Sequence, residues 1–184
     1  MTASRDTRYH EAAHAVAAHV LGIGLKEEGM ILHSDSDAWV EVVDRPPDDA
    51  GEDWFIRRVA VKLAGPLAMC RQRREPHSGM AVVPSVTTFD LIRGELWDTL
   101  RCTREYAKDV NDSKCKLRCY WTRVGGCGSN DLIDEQMDRS ARMALACVEE
   151  NETTISAVAD AAEGRDEFSR SEIVACIQAC QQKA

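Results

Sequence analysis

No segment of this 184-residue chain is long and apolar enough to cross a bilayer. No basic stripe offsets its acidic surplus either, with 31 Asp and Glu against 23 Lys and Arg for a net charge of -8. The first absence argues against a membrane anchor. The second argues against a nucleic-acid binder, which needs clustered cations to displace counterions from phosphates. Arg71, Arg73 and Arg74 come closest to a basic cluster and suit a solvated helix end. The apolar stretch Ala12 to Leu25 contains His14 and His19 and lacks a small-residue cleavage pattern after it, so it does not read as an export signal. A cytoplasmic protein is therefore expected, with its eight cysteines reduced. Cys-x-x-Cys is missing, as are internal repeats and low-complexity tracts. What is there is ordinary for one globular domain over residues 1–184: 44% hydrophobic and 29% charged residues.

Hydrophobic periodicity predicts a mostly α protein, α+β in class, with a small hairpin. A helix is expected over Arg5 to Leu21, capped by Ser4 and ended by Gly22 and Gly24, with small apolar residues on most sides as in a buried helix. Two strand-like runs follow, Met30 to His33 and Ala38 to Val43, joined by four polar residues. A second helix is expected from about Asp53 to Arg73, kinked at Pro66. A third is expected over Phe89 to Val110, then an irregular stretch over 111–129, and a fourth helix from near Ser129. Two short helices finish the chain, the last opened by a capping box of Ser169 and Glu172.

The informative motif is His10-Glu11-Ala12-Ala13-His14. Residues four apart on a helix lie one turn apart on the same side, so two imidazoles can grip one Zn²⁺. Glu11 stands about 100° round the helix from His10 and can reach a water on the metal without ligating it. Zinc would polarise a carbonyl and lower the pKa of its water towards about 7, while Glu11 acts as general base. Without a metal, two histidines and a glutamate in an apolar helix would be costly to bury. His19 falls on the opposite helix face. His33 and His77 have nothing around them that favours ligation, and Val20 stands where a metzincin would place its third histidine.

The stretch Tyr9 to Val16 resembles the peptidase domain of the FtsH-type ATP-dependent zinc metalloproteases. Lys62-Leu63-Ala64-Gly65-Pro66-Leu67-Ala68 is similar to a second block of that family, and Gly128-Ser129-Asn130-Asp131-Leu132 to a third. The resemblance covers about residues 8–73 and 128–180. It implies a zincin-like helical peptidase domain with a small sheet beside the active-site helix, and Asp131 as third zinc ligand. Taken alone, Asp131 also suits the first turn of a helix. Glu27, Glu28 and Glu41 are weaker alternatives as ligands. The resemblance further implies hydrolysis of flexible or unfolded polypeptides, with an extended substrate adding to a strand edge of the 30–43 hairpin.

The departures are Ala13 where the family usually has Gly, and Met69 and Cys70 where an acidic residue is usual. There is no Gly-x-x-x-x-Gly-Lys-Ser/Thr loop, so the expectation is a free-standing, ATP-independent peptidase domain that relies on unfolded substrates, a partner protein or a homo-oligomer. Residues of about 80–127 match nothing in the family and read as an insert. A catalytically silent zinc-containing interaction module is the alternative from another class, and a narrow small-molecule amidase a third. The cysteines Cys102, Cys115, Cys119 and Cys127 give only a weak second-metal signal, while Cys176 and Cys180 share a helix face and read as apolar packing.

Overall fold

A computed structural model of the chain describes residues 3–72, 104–124 and 129–182. Its elements run α1 (Arg5–Val20), β1 (Leu25–Ser34), β2 (Asp37–Val42), α2 (Glu52–Gln72), α3 (Arg104–Arg123), α4 (Asn130–Glu150), α5 (Glu152–Ala161), β3 (Glu167–Phe168) and α6 (Arg170–Gln181). The fold is mostly helical with a three-stranded antiparallel sheet ordered β2-β1-β3.

α1 forms where its cap and apolar content say it should. Ser4 accepts a hydrogen bond from the Thr7 N–H at 3.3 Å, and the chain turns away through Gly22 at φ +67°. Ten of its sixteen residues are buried, so it runs through the core rather than over it. Its start is clamped from two directions. Asp35, in the hairpin turn, accepts from the Ser4 N–H and the Thr7 hydroxyl, while the buried Arg8 donates to the carbonyls of Ala159 and Ala3. α2, α5 and the sheet pack around α1, and α2 also packs on α3 and α4.

Two elements differ from the sequence-based expectation. β1 begins at Leu25, five residues before the expected Met30, because its pairing with β2 shifts register between Leu25 and Met30. Gly29 sits in that irregularity at φ +69°, and the charged run Lys26-Glu27-Glu28 beside it hides the strand pattern. Residues 111–123 belong to α3 and are not irregular. Ser113 and Leu117 are fully buried one turn apart, while Cys115 and Cys119 occupy the solvent side of the same helix. The expected helix over Phe89–Val110 lies outside the described residues up to position 103, and its remainder falls in α3. Ser129 caps α4 by accepting from Leu132, and the Ser169–Glu172 capping box opens α6 as expected.

α3 is tied to α2 and α4 by aromatic and polar contacts. Rings of Trp54, Phe55, Tyr120 and Trp121 follow one another at centroid distances of 5.1, 5.0 and 5.2 Å. Trp121 Nε1 then donates to Gln136, whose amide donates to Glu52. Beyond this ladder, Asp44 accepts from Arg58 of α2 and Lys116 of α3. Burial alone would raise the Asp44 carboxyl, but the two cations outweigh it and hold it at about 2.

The sheet closes by a close backbone approach at Gly29. A Cβ there would meet the Phe168 carbonyl oxygen and lie 2.8 Å from the Arg170 nitrogen. Because these neighbours are backbone and φ is positive, Gly29→Ala is expected to cost roughly 3–5 kcal/mol. Chemical denaturation of the variant tests this, and a loss below about 1 kcal/mol would refute the close approach.

Candidate metal centre

The two imidazoles of the motif converge. His10 and His14 lie one turn apart on α1, with ring centroids 4.7 Å apart, ring planes at 85°, and their Nε2 atoms 3.0 Å apart. His14 Nδ1 lies 2.7 Å from the Val61 carbonyl oxygen on α2. A carbonyl only accepts, so Nδ1 carries the proton and the neutral ring keeps its lone pair on Nε2. That nitrogen is the one facing His10. Metal-binding histidines are commonly oriented in this way, by a bond from the far ring nitrogen to a carbonyl.

The space in front of the nitrogens is kept by Gly65. A Cβ at that position would lie 2.5 Å from His14 Nε2 and 2.8 Å from His10 Cε1, so any side chain would fill the volume the two Nε2 atoms share. The pair suits one Zn²⁺, whose bonds of about 2.0–2.1 Å span two nitrogens at this separation after a few tenths of an ångström of opening. The donors here are the two imidazole nitrogens, and the bare backbone at Gly65 forms the wall that faces them.

Glu11 is next to His10 and 7% exposed, a carboxylate in a predominantly apolar helix. Asp131 lies in the first turn of α4, two residues after the Ser129 cap. Its side chain is outside the described residues. α4 itself packs on both α2 and α1, the two helices that build the centre. Among the described residues, no group of three or more His, Cys, Asp and Glu side chains converges.

The other candidates stand elsewhere. His19 is exposed in the last turn of α1, and His33 is exposed and packs edge-on against Trp39 at 6.0 Å. Glu27 and Glu28 are exposed. Glu41 accepts from Lys26 Nζ and Trp39 Nε1, both at 2.8 Å, which hold its carboxyl below the usual range. His77, Cys102 and Cys127 are outside the described residues. Cys115 and Cys119 are exposed, Cys176 and Cys180 half-buried, and burial pushes the Cys147 thiol up to about 11.

Sequence reasoning did not find the Val61 carbonyl or the spatial role of Gly65. The first has no signal, since every residue carries a carbonyl. The second had one, a glycine in a helix interior, where alanine would be favoured by about 1 kcal/mol. No family model matches the sequence, and no curated protein matches it.

Proposed function

We propose that this chain is a zinc metallopeptidase of the FtsH type that hydrolyses peptide bonds in flexible or unfolded polypeptides. The observation that carries the reading is the convergence of His10 and His14 Nε2 at 3.0 Å onto a space that Gly65 keeps clear. His10, His14 and Asp131 hold the metal in this proposal. A bound zinc ion supplies Lewis-acid polarisation of the scissile carbonyl and an acidic water.

The chain's own groups do the rest. Glu11 takes the proton from the attacking water and hands it to the leaving amine, which returns the carboxylate to its starting state. Its burial beside the histidines keeps competing solvent away from that proton. The Val61 carbonyl keeps His14 in its ligating tautomer. β2 lies at the outer edge of the sheet, has no strand neighbour on its far side among the described residues, and contacts α1. An extended peptide can add there through main-chain hydrogen bonds, a mode that reads backbone more than side chains and suits unfolded substrates. The described residues contain no helix long and apolar enough to cross a membrane.

Metal content tests the centre. Purified without chelator, the chain is expected to hold one zinc per molecule. Anomalous scattering at the zinc edge is expected to place it on His10, His14 and Asp131. A protein that stays metal-free and refuses added zinc would end the peptidase reading.

A further inference from the structure

A β-strand sends alternate side chains to opposite faces, and β2 divides its residues in this way. Ala38 and Val40 pack against the core, and Val42 is buried in it. Trp39 and Glu41 stand on the other face. Among the described residues, Trp39 is the one large aromatic ring left exposed, at 39%. It is nevertheless fixed. Its Nε1 donates to one oxygen of Glu41 at 2.8 Å, Lys26 Nζ donates to the other oxygen at 2.8 Å, and the His33 ring meets the indole edge-on at 6.0 Å. The indole's single polar atom is thus satisfied within its own strand, and the Lys26 cation balances the Glu41 charge. What the ring still offers is uncharged apolar surface.

The ring also belongs to an incomplete row. Glu167, Ile31 and Trp39 lie side by side across the sheet, with Ile31 paired to both neighbours. Ile31, flanked on two sides, is only 6% exposed. Trp39 has a strand neighbour on the β1 side alone among the described residues, because β2 ends the strand order. A peptide added at β2 would set one side chain directly beside the indole and turn the residues flanking it to the opposite face. Aromatic and branched apolar side chains gain most from such a cross-strand pair. A charged side chain would give up hydration there without a counter-charge to meet it.

We propose that Trp39 is a specificity-determining residue, which selects an aromatic or large aliphatic side chain at one position of the extended substrate. The substrate class is thereby narrowed to segments rich in the residues that folded proteins bury and unfolded ones expose. This deepens the peptidase reading and rests on it, but contact between a peptide and the ring can be measured without turnover.

The test sets the full chain, its Trp39→Ala variant and its Trp39→Phe variant against unstructured peptides in which each position in turn carries Tyr, Leu, Ser, Glu or Lys. At one position the unaltered chain is expected to favour Tyr and Leu by about 2–10-fold in kcat/KM, expressed in KM rather than kcat. Trp39→Ala is expected to lose that preference and Trp39→Phe to keep it. The readout is a ratio between peptides, so damage to the fold, which lowers all cleavage together, does not imitate the loss. If no apolar preference depends on Trp39, or if the dependent preference is for Lys or Glu, the proposal is overturned. Should the unaltered chain cleave nothing, the peptidase reading fails separately, and the Trp39 indole ¹H–¹⁵N resonance, identified by its loss in both variants, decides instead. It is expected to shift on titration with the Tyr and Leu peptides and much less with the Ser ones. No shift, or equal shifts with all of them, overturns the proposal.

Discussion

Glu11→Gln is expected to lower cleavage of a fluorogenic unfolded protein by about 10²–10⁴-fold while zinc content stays the same. The substitution keeps size and hydrogen-bonding reach but removes the only property the mechanism asks of this residue, a basic oxygen. In barrier terms that is roughly 3–5 kcal/mol. Burial makes the comparison clean, because Glu11 is 7% exposed and bulk solvent is poorly placed to substitute for it. Stability should change little, since an amide is no costlier to bury than a carboxylate. A variant as active as the original would remove Glu11 from the mechanism. A third outcome is equally decisive: zinc bound by the unaltered chain, with no cleavage across a broad set of unfolded proteins and peptides, would identify an interaction module with a structural metal.

The second large effect is expected at Gly65. Gly65→Ala puts a methyl group 2.5 Å from His14 Nε2 and 2.8 Å from His10 Cε1, so the rings must rotate or the helices must part. The rings have little freedom, because the Val61 carbonyl holds one and α1 is buried along most of its length. Zinc affinity is expected to fall at least 100-fold, or about 2.7 kcal/mol. The metal-free fold should lose about 1–3 kcal/mol through overpacking. Helix propensity by itself predicts the opposite sign, a gain of about 1 kcal/mol for alanine over glycine. Calorimetric zinc titration and thermal melts of the same samples separate the two. Zinc binding at full affinity would mean that the metal does not sit between these nitrogens.

Local patterns made much of this molecule legible in its sequence. Helical spacing puts His10 and His14 on one side of α1 whatever else the chain does, and the Ser4, Ser129 and Ser169 caps act within three residues of themselves. The failures came where partners distant in sequence decide. Gly29 takes its conformation from a crossing with Phe168 and Ser169, so β1 looked shorter than it is. α3 is obscured in the sequence by its cysteines, although Cys115 and Cys119 lie on the outer face of a helix whose inner face packs on Phe55. At the site, the histidines were visible as residue types, but the opposing wall of Val61 and Gly65 arises only when α2 docks. Asp131 as third ligand remains part of the proposal.

The crossing at Gly29 also sets an order of events. Met30 and Ile31 gain their second strand neighbour from Phe168 and Glu167, and α1 is covered by α5, which precedes that strand in the chain. Such closure depends on loops spanning most of the polypeptide, an arrangement that slows folding because chain entropy is lost before the contacts form. The helix with the two histidines is therefore enclosed only after α5 docks on it, a contact that includes the bond from Arg8 to the Ala159 carbonyl.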